Sequence, residues 1–189
     1  MSIPQNNHST NRASAHGWST QRIAIYALFV ALGIALSFIS FPIFPAAPFL
    51  EYDFSGVICL IAAFAYGPAA GVTVSLLIYV PHLFKNPIGA LMNMAIMVSF
   101  ALLASLIYHH KRSRKQALLG LIAGAVLAII VALGLNVAAT PLYYHIAVSK
   151  YLAMIIPVYL PFNLLKMGLH SIITFLCYKP VSRMVKKDL

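Results

Sequence analysis

The chain has 189 residues, of which 61% are hydrophobic and 8% charged, and its formal net charge is +10. A mean hydropathy of +0.89 excludes an ordinary soluble domain and implies a small polytopic membrane protein. The charge does not argue for nucleic acid, because the basic residues cluster at the ends of apolar runs and leave no soluble domain to carry a basic binding face.

Residues 1–21 are polar and contain no apolar core of the kind a signal peptide needs, so they read as a disordered cytoplasmic tail. The first apolar run, Ile23 to Phe41, is long enough to cross a hydrocarbon layer of about 30 Å. Within it Ala27, Ala31 and Ala35 recur every four residues with Gly33 nearby, leaving one helix face nearly bare. Such a face either packs inside this protein or docks a separate membrane subunit. Pro42, Pro45 and Pro48 then predict an extended loop.

Two runs follow, Phe54 to Tyr66 and Ala69 to Phe84, divided by Gly67-Pro68. The later runs are Ile88 to Tyr108, Ala117 to Leu135 and Val158 to Tyr178. Charge decides how many times the chain crosses. If Gly67-Pro68 is a turn there are six segments, and ten of the thirteen Lys and Arg fall on one side, with Lys85 and Lys150 opposite and Lys166 inside the bilayer. The cytoplasmic bias of basic residues selects that arrangement. The expectation is an all-α, six-transmembrane-helix bundle over residues 22–180 with both termini cytoplasmic, ending in a basic tail, 181–189. The loops 42–53, 85–86 and 138–157 face outside.

In that frame Pro161-Phe162-Asn163-Leu164-Leu165-Lys166 carries the most information. A lysine deep in a membrane helix costs about 2.5–3.5 kcal/mol on insertion scales, so it normally faces a bundle interior or a wet cavity. Asn163 precedes Lys166 by three residues and shares its helix face. The predicted depths of Asn93 and Asn136 also fall in the outer half of the bilayer. An amide both donates and accepts hydrogen bonds, so this set suits a neutral hydroxyl-bearing or heterocyclic ligand in a recess open to the outside. Buried asparagines that only join helices are the alternative, at about 0.6 kcal/mol each.

Asp53 precedes the second segment and is placed to cap it, with ligand contact as the second reading. Leu50 and Tyr52, together with Phe49, Phe84, Tyr143, Tyr144 and Tyr159, crowd the outer rim as an interfacial belt or as pocket walls. Cys59 and Cys177 lack CxxC spacing and read as small core residues. His82, His145 and His170 are scattered and read as interface or packing residues. No HExxH, GxSxG, Walker A or paired intramembrane carboxylates occur. The chain is therefore expected to be no enzyme, to hold no metal or catalytic cofactor, and to take any energy input from a partner. A small intramembrane enzyme and a purely structural membrane subunit are the rival classes.

Four stretches resemble a known family. Leu50-Glu51-Tyr52-Asp53-Phe54-Ser55, and Phe64-Ala65-Tyr66-Gly67-Pro68-Ala69-Ala70-Gly71-Val72, resemble L-x-x-D-F-S and F-G-P-x-A-G-V signatures. Leu135-Asn136 with Pro141-Leu142-Tyr143 is similar to a fifth-helix asparagine and the loop after it, and residues 161–166 resemble a P-F-N-x-x-K run in a sixth helix. The family is the substrate-binding S components of energy-coupling factor vitamin transporters, in their riboflavin group. The resemblance implies riboflavin captured from outside a bacterial plasma membrane, and association with a transmembrane T component and two cytoplasmic ATPases. It further implies that Asn136, Asn163 and Lys166 contact the flavin, that the loop before Asp53 caps the pocket, and that Ala27, Ala31 and Ala35 dock on the T component. One wall departs from the group: Ile78-Tyr79, followed by Pro81-His82, stands where a polar or basic pair is common.

Overall fold

A computed structural model of the chain describes residues 19–44, 48, 50–143 and 147–185, with side chains omitted for 140, 142, 143 and 181–185. Nearly all of the expected N-terminal tail, the end of the C-terminal tail, Phe49, Tyr144 and His145 lie outside the described residues. So does the side chain of Tyr143. The first helix, α1, runs Thr20–Ser37 and is capped by Ser19, whose side chain accepts from Arg22 N. Its buried residues, Tyr26, Gly33 and Ser37, lie along one side, while Ala27, Ala31 and Ala35 are exposed on another. A Cβ at position 33 would fall 2.1 Å from Ile78, so α1 approaches its neighbours through the glycine and not through the alanines.

The proline-rich stretch after α1 holds a short antiparallel hairpin, β1 Ser40–Pro42 and β2 Glu51–Asp53, with Phe41 opposite Tyr52. Two strands therefore interrupt the expected all-α architecture. Prolines deny the segment helical hydrogen bonds, and pairing of the flanking residues satisfies the backbone instead.

Helix α2 spans Ser55–Tyr66 and α3 spans Pro68–Ile78. Between them Gly67 has φ 100°, a conformation open to glycine and closed to most other residues, and Pro68 starts the next helix. The two helices fold back on one another: Gly71 meets Ala63 near the turn, and Ser55 and Tyr79 hydroxyls lie 2.9 Å apart at the open end. Each is short, at about 1.5 Å per residue roughly 17–18 Å. The expected third run does not continue as one helix to Phe84, since α3 stops at Ile78 and Pro81–Phe84 forms a separate 3-10 turn. Pro81 supplies no backbone donor to carry the helix on.

Helix α4 covers Pro87–Lys111 and α5 covers Arg114–Tyr143. They pack closely because Gly120 and Gly124 face Ala104 and Phe100. The region 138–157, expected as an external loop, is largely helical: α5 continues to Tyr143, and α6, Val148–Met154, leads through a π-type turn at Ile155–Tyr159 into α7, Leu160–Val185. Tyr151 anchors α6 by donating its hydroxyl to the Leu133 carbonyl at 2.9 Å.

The apolar core includes Leu60, Phe64, Val74, Phe100, Leu121 and Met167, drawn from α2, α3, α4, α5 and α7. Large apolar side chains also cover the outside, among them Leu28, Ile130, Ile172 and Leu176. A surface this apolar on its long helices suits lipid and not water. Among the described residues four stretches are long and apolar enough to cross a membrane: Thr20–Ser37, Pro87–Lys111, Arg114–Ala139 and Val148–Pro180. Cys59 is buried, but Cys177 is exposed, so the second cysteine belongs to the outward face of α7 and not to the core.

Candidate ligand-binding site

The polar centre forms where the hairpin meets α7. Asn163, Lys166, His170 and Thr174 recur at intervals of three and four and are all buried, which makes one inward stripe on that helix. Lys166 is 7% exposed, and its Nζ lies 3.5 Å from Asp53 Oδ2 and 6.0 Å from the centre of the Phe162 ring. Asn163 donates from Nδ2 to the Tyr159 carbonyl at 2.8 Å, back along its own chain.

Asp53 does cap α2, as its position suggested: Oδ1 accepts from Ser55 N at 3.0 Å and, in a short bond, from the Ser55 hydroxyl. It also does more. The Ser55 hydroxyl contacts Tyr79, so a chain of polar contacts runs Lys166, Asp53, Ser55, Tyr79, from α7 through β2 and α2 to the end of α3. Burial alone pushes the Asp53 carboxyl up, but the Lys166 ammonium and the Ser55 hydroxyl outweigh it and hold the group below the usual carboxylate range.

Tyr52, the residue before Asp53, also turns inward and is 1% exposed. Its ring stacks on His170, with centroids 5.1 Å apart and planes at 28°. Phe41 and Phe54 meet it edge-on, and Phe44 reaches Phe162, so the hairpin lies over the N-terminal half of α7. Leu50 is half-buried just before β2. The other residues of the expected rim divide: Tyr159 is buried against Tyr151, whereas Phe84 is 92% exposed.

The side of the lysine amine that faces the hairpin is met by Asp53. Among the described residues an apolar recess of about 290 Å³ lies between α4 and α5, lined by Ile88, Leu91, Met92, Ala95, Leu135, Ala138 and Ala139. Asn136 and Asn93 are half-buried on the two helices that form it. Asn136 donates to the Ala132 carbonyl at 2.7 Å, and no hydrogen bond among the described residues joins either asparagine to Lys166.

Comparison with known proteins gives this geometry a setting. Residues 21–178 match the family described as "ECF transporter, substrate-specific component". The chain belongs to that family. Among curated relatives, the riboflavin transporter RibU of Staphylococcus aureus is 34% identical over 176 residues, covering 88% of this chain and 93% of that protein. The riboflavin transporter RibU of Streptococcus thermophilus is 31% identical over 186 residues, covering 89% and 86%. A solved structure described as the S component of a bacterial ECF transporter superposes with a TM-score of 0.76 at 32% identity, covering 88% of this chain and 98% of that one. This S component is thus a membrane protein of a transporter family.

Sequence reasoning placed Asn163 and Lys166 correctly on one inward face but missed the carboxylate that meets the lysine. The signal was present: Glu51, Asp53 and Asp188 are the chain's three acidic residues, and a buried ammonium calls for a counter-charge. His170 was legible too, as the position four residues after Lys166. Ser55 and Tyr79 had no such signal, since their contact depends on the fold-back at Gly67.

Proposed function

We propose that this S component captures riboflavin from outside the cell and releases it inward when a transmembrane T component and two cytoplasmic ATPases act on it. The single observation that carries the reading is the likeness, across nearly the whole chain, to two proteins named as riboflavin transporters. The buried cation and amide on α7 support it, since a flavin ring presents carbonyl acceptors and an imide donor to such groups. Lys166, Asn163 and Asn136 are proposed to hydrogen-bond the ring or its hydroxylated side chain, with Asn93 near the same depth and Leu50 and Tyr52 as the outer cover.

The proposal includes six crossings, by α1, α2, α3, α4, α5 and α7, with both termini in the cytoplasm of a bacterial cell, residues 22–180 as the membrane domain, and the two tails as cytoplasmic extensions. Basic residues at 111–115 and beyond 179 then share a side. Ala27, Ala31 and Ala35 form the proposed contact with the T component, supported by their exposure on α1. The role is binding and not catalysis, a reading supported by the match to a substrate-specific transporter component.

Absorbance and mass spectrometry of the chain purified in mild detergent test the reading: flavin absorbance and the riboflavin mass are expected in the protein fraction. A second cargo, another vitamin or heterocycle, is favoured by the apolar Ile78 beside Tyr79, and a different copurifying mass with no riboflavin binding would establish it.

A further inference from the structure

His170 is wholly buried, and neither of its ring nitrogens has a hydrogen-bond partner among the described residues. The imidazole is fixed by close packing on α2: a Cβ added to Gly56 would meet its Cε1 and Nε2 at 2.8 Å and Met97 at 3.0 Å. Tyr52 stacks on it, with a hydroxyl that is also buried and unpaired. An unpaired buried hydroxyl is unfavourable enough to shift an equilibrium about five- to a hundredfold. A phenylalanine would pack in the same place without that penalty.

The origin of the two rings differs. His170 sits on a long helix, whereas Tyr52 is delivered by a two-stranded hairpin of three residues per strand, an element of marginal stability on its own. The same hairpin carries Asp53 to Lys166. A single outward movement of β2 would therefore uncover a flat imidazole, two unpaired ring nitrogens and an ammonium group together.

We infer that Tyr52 is an internal stand-in for the ligand: its phenol fills the slot against His170, and a planar heteroaromatic ligand displaces it and takes over the stack. This rests on the riboflavin-binding reading above and departs from it at Tyr52, which here competes with the ligand for the ring slot instead of covering it, and it adds the floor of that slot. Release of Asp53 frees Lys166 in the same step. Apparent affinity is then reduced by the fraction of molecules in which Tyr52 occupies the slot.

Two substitutions with opposite signs test the inference, read by stopped-flow quenching of riboflavin fluorescence with the full chain in detergent. Tyr52→Phe keeps the ring and removes the unpaired hydroxyl, so the occupied state gains and the riboflavin Kd rises about tenfold, with slower association. Tyr52→Ala empties the slot, so Kd falls and association quickens. His170→Leu raises Kd in both backgrounds because the floor is lost.

If Tyr52 is an ordinary wall of the pocket, Tyr52→Ala weakens binding and Tyr52→Phe stays within about twofold of the parent; either result overturns the inference while leaving riboflavin binding intact. Should Tyr52→Ala fail to fold, Tyr52→Phe decides alone on the same criterion. A parent chain that binds no riboflavin overturns both this inference and the reading beneath it.

Discussion

At the scale of single residues, the Asp53–Lys166 pair dominates. Two opposite charges removed from water contribute little net stability as a pair, but deleting one partner strands the other and costs about 3–5 kcal/mol. Lys166→Met and Asp53→Ala should each lower the thermal midpoint in detergent sharply, while the combination Asp53→Asn with Lys166→Met recovers most of the loss. Differential scanning fluorimetry measures this, and a double variant no more stable than the singles would show that the two groups are not coupled. Sequence alone identified the cation and the capping carboxylate separately. Their pairing depends on where the hairpin crosses α7, and nothing in the spacing of residues 53 and 166 encodes that distance.

At the scale of elements, α1 has two distinct sides. Its inner side is set by Gly33, whose missing side chain admits Ile78 of α3, and its outer side by three exposed alanines. Gly33→Leu should force α1 from the bundle and destabilise it by about 1–3 kcal/mol, as overpacking does. Ala31→Leu should leave thermal stability and riboflavin binding unchanged yet abolish uptake in cells that carry the partner subunits. Normal uptake by Ala31→Leu would move the docking surface elsewhere.

The alanine period was readable because a stripe at four-residue spacing survives any packing arrangement. The hairpin and α6 were less legible: strands of three residues leave too short a pattern to recognise, and the seven residues of α6 are too few to show a helical period before they pass into a π-type turn. Gly67-Pro68 was legible as a break, because glycine at φ 100° followed by proline restricts the chain locally whatever surrounds it.

At the scale of the whole molecule, both the core and the outer surface of the long helices are apolar. Apolar side chains cover the lipid-facing surfaces, and the polar groups gather in a central file from Lys166 to Thr174 on α7, with Asp53 and Tyr52 brought in from the hairpin. If Tyr52 is displaced as inferred above, a ligand enters from the hairpin end as β2 moves, and capture and the release of Lys166 belong to one structural change.

The most direct test isolates the lysine from its stability role. Riboflavin is titrated calorimetrically into the parent chain and into the Asp53→Asn, Lys166→Met combination, both shown to be folded. Loss of a charged hydrogen bond to the ligand predicts a Kd about tenfold to a hundredfold higher in the combination. An equal Kd in the two proteins would contradict the claim that the buried cation of α7 serves the ligand.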